Sequence, residues 1–202
     1  MSRTTTLLIA AIAIAIPTVS AQSVQFRGKI ENGEGACYYC PGFDFVVDCV
    51  DAPVSSSVYD LNLYIGMQVD ATGVFNGSAA QPIIDITSLQ VVAPSFSIGG
   101  GASIGGDVKF TAFGTAGDFA MLTIAVGPGL TFLGSSTLFM DLNTMAVLGT
   151  GTLNSIGELK VKIPLANDSR LIGLELFGQA AIVPQTGAPF YFTNPDCKVI
   201  TG

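Results

Sequence analysis

Four cysteines are the residues with the most chemistry to offer. Cys37, Cys40 and Cys49 share one stretch, Ala-Cys-Tyr-Tyr-Cys-Pro-Gly-Phe-Asp-Phe-Val-Val-Asp-Cys-Val-Asp over 36–51, and Cys197 lies near the other end of the sequence. Three chemistries are open to them. Two disulfides are one, with three possible connectivities. Thiol redox is another, since Cys37-Tyr38-Tyr39-Cys40 has C-x-x-C spacing. That motif lacks the helix start that lowers a thiol pKa, and Pro41-Gly42 follows it. A zinc site is the third. It would need all four cysteines to converge, and the second close-spaced pair of a zinc ribbon is missing.

Other reactive groups are sparse. There is no histidine, so no Ser-His-Asp triad, imidazole metal site or histidine acid–base step can be built. Gly101-Ala102-Ser103-Ile104-Gly105 fits the nucleophile-elbow pattern, but it sits in a Gly-rich run instead of a strand-to-helix turn. Asp44, Asp48 and Asp51 could serve paired-carboxylate hydrolysis; a solvated acidic edge explains them more simply. No calcium loop, Walker loop or dinucleotide fingerprint occurs. Tyr38 and Tyr39, between two expected strands, are the candidate ligand-binding residues, because an exposed flat ring can stack on a sugar. No cofactor and no metal are expected.

Bulk composition narrows the class. Charged residues make up 11% of the 202 residues, and the formal charge is −7. An acidic chain repels nucleic-acid phosphates and anionic membranes. Residues 7–16 form an unbroken apolar run behind Arg3, ended by Pro17, and Val19-Ser20-Ala21 offers small residues for cleavage. This pattern predicts a signal peptide over 1–21, cleaved near Ala21. Ten apolar residues are too few to span a bilayer, and no later run is long enough for a helical anchor. Cleavage removes Arg3 and no acid, taking the charge from −7 to −8. Export makes disulfides the expected state of the cysteines.

The positioning elements read as strands. Segments 23–32, 43–50, 67–75 and 83–92 alternate with period two, and Gly28 within the first permits a bend. Val58, Leu61 and Ile65 are spaced for a short helix, and Asn76-Gly77 for a tight turn. Residues 93–106 carry one Pro and five Gly without a charge, which marks a boundary. Beyond it, 108–113, 119–126, 136–141, 145–153, 158–165, 172–183 and 191–193 read as strands. Residues 119–126 look buried on both faces, and 158–165 alternates apolar with charged. The expected fold is all-β: an OB-like Greek-key barrel over 22–93, a Gly-rich linker over 94–106 and an antiparallel β-sandwich over 107–202. An outer-membrane barrel is the alternative for the second half; the absence of aromatic girdles argues against it.

Over 23–93 the order of elements, with Tyr64-Ile-Gly-Met-Gln-Val-Asp-Ala-Thr-Gly73 and Ile83-Ile-Asp-Ile-Thr-Ser-Leu89, resembles the small OB-fold barrels of exported bacterial proteins. The resemblance implies a barrel whose face often binds oligonucleotides or oligosaccharides. The second half resembles Gly-rich β-domains of exported bacterial proteins of unknown role. Because three cysteines fall in the first half and one in the second, full intrachain pairing forces one bridge through Cys197. Cys49 is the favoured partner, with Cys37 and Cys40 closing a small loop. The functional expectation is a secreted, non-catalytic structural or adhesive module of the cell surface, extracellular space or periplasm, able to pair with itself through strand edges. A carbohydrate-binding module acting on surface glycans is the second expectation. An exported glycosidase or thiol oxidoreductase is the third.

Overall fold

A computed structural model describes residues 22–33, 44–78 and 81–202; the expected signal peptide, 1–21, lies outside them. In β1 (Gln22–Asn32) the period-two pattern buries Val24, Phe26 and Ile30 on one face. Gly28 on that face is needed for close packing instead of a bend. A Cβ there would stand 2.5 Å from Val47 Cγ1. β2 (Phe45–Val47) is shorter than the expected 43–50. The chain leaves it through Cys49 (φ 69°) and Asp51 (φ 49°), left-handed conformations that no strand continues. β3 (Ala52–Ser55) returns antiparallel to β2.

The expected helix is a single 3-10 turn, Leu61–Tyr64, capped by the Asp60 carboxylate, which accepts from Asn62 N–H. Only Leu61 of its stripe is buried; Val58 and Ile65 are exposed. β4 (Gln68–Ser78) and β5 (Gln81–Val91) form a long hairpin. Asn76 and Gly77 are not its turn. They pair with Ile83 and Pro82, and the ladder runs on to Ser78 opposite Gln81.

These five strands close on themselves. β1 pairs β2 and β4, β2 pairs β3, β4 pairs β5, and β3 meets β5 in parallel. Closure in the order β1-β2-β3-β5-β4-β1 gives the OB-like Greek-key barrel, and it removes the free edges that an open sheet would leave. Phe26, Ile30, Val47, Val54, Leu61, Val69, Ile84 and Ile86 fill it.

The remaining chain builds a sandwich. One sheet runs β12-β7-β6, from Glu158–Pro164, Asp107–Phe113 and Phe96–Gly99. The other sets β11 (Ala146–Thr152), β8 (Phe119–Ala125) and β13 (Glu175–Val183) side by side. The short β14 (Tyr191–Phe192) and β15 (Asp196–Val199) both pair with β13. Phe96, Ile98, Phe110, Leu122, Leu153, Ile182 and Ile200 fill the space between the sheets. The expected linker therefore carries a core strand: Phe96 and Ile98 of β6 lie within 94–106. In β8, Ala120 and Leu122 face this core and Ala125 the opposite side, yet Phe119 remains 45% exposed.

A hairpin of β9 (Pro128–Leu133) and β10 (Ser136–Met140) joins the two halves. β10 lies parallel to β1, with Ser136 opposite Gln25, so the barrel sheet grows to seven strands. All five β10 residues are buried. Phe139 meets Phe26 edge-on, centroids 5.8 Å apart, while Leu138 and Met140 pack with Ala125, Ala181 and Phe192 of the sandwich. A strand buried on both faces thus cements barrel to sandwich.

Candidate functional site

The densest collection of functional side chains lies at the seam between the two halves. Cys49, in the turn after β2, is bonded to Cys197 in β15, 148 positions further along the sequence, with Cα atoms 5.5 Å apart. This is the crossing bridge expected from the cysteine count, made with the favoured partner. Each cysteine follows an aspartate that turns back on it. Asp48 accepts from Cys49 N–H at 2.9 Å, and Asp196 accepts from Cys197 N–H at 2.9 Å. Both half-cystine backbones are held by the same local Asx contact.

The surroundings of the bridge are acidic. Burial raises the Asp51 carboxyl above its ordinary range, and the Asp48 charge raises it further. Glu175 is raised by burial and then by Asp51. Burial raises Asp196 too; the N–H groups of Ile98 and Cys197 offset this, Asp48 adds to it, and Lys198 opposes it. Lys29 balances the group. Its Nζ is 2.8 Å from Asp48 and 2.8 Å from Glu31, and these contacts lift its pKa to about 12.

Side chains also fasten backbone across the seam. Asn194 accepts from the N–H groups of Ser95 and Phe96 and donates to Phe96 O. Asp196 accepts from Ile98 N–H at 2.6 Å. Together they occupy the outer edge of β6. Gln179, fully buried in β13, accepts from Phe139 N–H at 2.9 Å and donates to Thr193 O at 2.7 Å. Arg27 pairs with Asp70 at 2.8 Å and lies 4.0 Å over the Tyr191 ring, bridging barrel and sandwich.

Cys37, Tyr38, Tyr39 and Cys40 lie outside the described residues. Ser103 donates to Gly101 O and shares a hydrogen bond with Thr201, which makes it a tether for the C-terminal end. Of Asp44, Asp48 and Asp51, the last two feel each other's charge, and each of the three has its own surroundings. Asp48 is bound to Lys29, Asp51 adjoins Glu175, and Asp44 lines a cleft of about 310 Å³ with Ser55, Ser56, Tyr59 and Asp60. Among the described residues, no group of three His, Cys, Asp or Glu is placed to hold a metal. No described helix is long and apolar enough to cross a membrane. Asn194 and Gln179 escaped sequence reasoning. The only hint was a lone amide in an apolar run, as in Leu176-Phe-Gly-Gln-Ala-Ala-Ile182.

No protein-family model and no curated protein matches this chain. Among solved structures, it is similar to the crystal structure of red sea bream transglutaminase at 10% identity and a TM-score of 0.33. The match covers 75% of this chain and 24% of that one. This chain thus spans about a quarter of that protein's length, and a likeness this weak carries no functional argument.

Proposed function

We propose that this chain is an exported structural or adhesive module, serving at a cell surface or in the extracellular space without catalysing a reaction. The observation that carries this is the Cys49–Cys197 bridge, which locks the barrel to the last strand of the sandwich. Bridges of this kind form and persist in oxidising compartments, and the apolar run over 7–16 with its Val19-Ser20-Ala21 site supplies a route to one. The polar groups at the seam support the same reading. Asp48, Asn194, Asp196 and Gln179 direct most of their hydrogen bonds to backbone, and Asp48 also holds an ion pair. They stiffen the molecule, and among the described residues they form no nucleophile–base pair at the seam.

The test is fractionation of the producing organism with an antibody to the folded chain. Recovery from the envelope or medium is the expected result; recovery from the cytosol, with thiols reduced, overturns the proposal.

A second reading, glycan binding, rests on the barrel cleft, where the Tyr59 ring, the Ser55 hydroxyl and the Asp60 carboxylate share one rim. Affinity electrophoresis on neutral polysaccharides decides it. Retardation that disappears in Tyr59→Ala supports the reading, and equal mobility of both proteins removes it.

A further inference from the structure

The Cys49–Cys197 bridge lies in a field that its structural role does not require. Asp48 Oδ1 accepts from Cys49 N–H, and Asp196 Oδ1 from Cys197 N–H, each at 2.9 Å. Within a cysteine the amide nitrogen and the sulfur are three bonds apart, so each carboxylate oxygen lies within about 7 Å of the sulfur beside it. Two more carboxylates stand behind these. Asp51, two residues past Cys49, feels the Asp48 charge, and Glu175 feels Asp51. Glu175 sits on β13 two residues before Phe177, the ladder partner of Cys197. Asp48 also acts on Asp196 across the bridge.

The opposing charges are fewer. Lys29 of β1 serves both Asp48 and Glu31, and Lys198 follows Cys197. Asp70 of β4 is matched by Arg27. The neighbouring strands β2, β3 and β6 carry no charge. Among the described residues, the five carboxylates of Glu31, Asp48, Asp51, Glu175 and Asp196 therefore meet two ammonium groups, and three negative charges are left unbalanced around the disulfide. The backbone does not need them, since an asparagine oxygen at 48 or 196 would accept the same N–H. Burial already opposes the ionised forms of Asp51, Glu175 and Asp196.

Opening a disulfide is a reaction of anions. A thiolate adds to one sulfur, the S–S bond breaks, and the other sulfur leaves as a thiolate. A second thiolate then displaces the first, giving two protein thiols and one small disulfide. Each step brings negative charge to the seam. Both cysteines are half-buried, where charge acts more strongly than in open water.

We infer that these carboxylates form an electrostatic guard on the bridge, which turns away thiols bearing a further negative charge and admits thiols bearing a positive one. A cationic group on the reagent offsets the charge of its own thiolate and is drawn to the unbalanced carboxylates; an anionic group is repelled twice over. The guard goes beyond the structural-module reading. It requires that the bridge be formed and does not depend on where the cell places the protein.

The test is reduction of the oxidised protein at neutral pH and low ionic strength by three thiols of similar size: cysteamine, 2-mercaptoethanol and 2-mercaptoethanesulfonate. Non-reducing peptide mapping follows the joined Cys49 and Cys197 peptides, so the other cysteines do not enter the readout. Each rate constant is divided by that of the same thiol acting on 2-hydroxyethyl disulfide, which cancels differences in thiol pKa and nucleophilicity. The expected order is cysteamine fastest and the sulfonate slowest, with a spread of about tenfold or more that falls below about threefold in about 1 M salt. Asp51→Asn and Glu175→Gln each remove one charge and should each narrow the spread by about twofold. Equal normalised rates, a spread that salt leaves unchanged, or a spread that both variants leave unchanged would overturn the inference. Rates independent of thiol concentration would overturn it too, because the bridge would then open only when the fold does.

Discussion

Removing the seam bridge should be the most costly change that leaves every core side chain in place. The perturbation is Cys49→Ser with Cys197→Ser, leaving Cys37 and Cys40 untouched. The bridge spans 148 positions. In the chain-entropy treatment, releasing a loop of that length gives the unfolded state about 17 cal/mol/K, or about 5 kcal/mol at 25 °C. For a chain of this size that corresponds to a fall in Tm of roughly 10–20 °C. Because the folded contacts barely change, the loss should appear as a lower midpoint together with a steeper urea dependence, since the unbridged chain exposes more surface when it unfolds. Urea titration followed by circular dichroism, on oxidised wild type and the double variant, measures both quantities. Amide exchange should show 196–199 opening first, since β15 is a short outer strand whose ladder partner is β13 and whose tie to the barrel is the bridge. A stability difference below about 1 kcal/mol would refute the reasoning, because the unfolded chain would then be unconstrained by the bridge.

Three further outcomes follow from packing and charge. Gly73→Ala should cost roughly 3 kcal/mol in urea titration, because its Cβ would lie 2.5 Å from the Asp85 carbonyl oxygen at a register shift between β4 and β5; a neutral result would mean that the hairpin yields there. Gln179→Leu leaves the buried Phe139 N–H and Thr193 carbonyl without their partner and should cost about 2–4 kcal/mol; thermal melts check it, and a gain in stability would contradict it. Asp51, Glu175 and Asp196 have raised pKa values when folded, so between the unfolded and folded values the folded state holds more protons. Stability from these groups is therefore fully present below their ordinary values of 3.8 and 4.5 and is lost as pH rises through the raised ones. Asp51→Asn, tolerated at a positive φ, should stabilise by roughly 0.5 kcal/mol at pH 7 and by nothing below pH 3.8; a uniform effect across pH would remove the electrostatic cause.

The barrel was legible because its strands follow one another in sequence and each buries alternate residues. Val24, Phe26 and Ile30, then Val69 and Ala71, then Ile84 and Ile86 announce the interior by spacing alone. The crossing bridge was nearly legible too: counting cysteines in each half forced Cys197 across the seam, and only its partner needed three dimensions. What stayed hidden depends on long-range contact. β9 falls between the expected strands 119–126 and 136–141; it opens on Pro128-Gly129, where Gly129 lets the strand pass the Met140 carbonyl, 2.7 Å from where a Cβ would sit. β10 meets β1 through a single register pair more than a hundred residues away, which no local period encodes. The Gly-rich stretch at 94–106 hid β6 because its two anchors, Phe96 and Ile98, are few among glycines. Asn194 and Asp196 look like ordinary loop residues until β6 is laid beside them.

Export followed by oxidation is the premise on which the functional proposal stands. A non-reducing peptide map of the protein recovered outside the cytoplasm tests it most directly. The predicted result is a chain beginning at Gln22 in which the Cys49 peptide travels joined to the Cys197 peptide until a reductant separates them. A chain that keeps residues 1–21 and yields Cys49 and Cys197 as free thiols would contradict it.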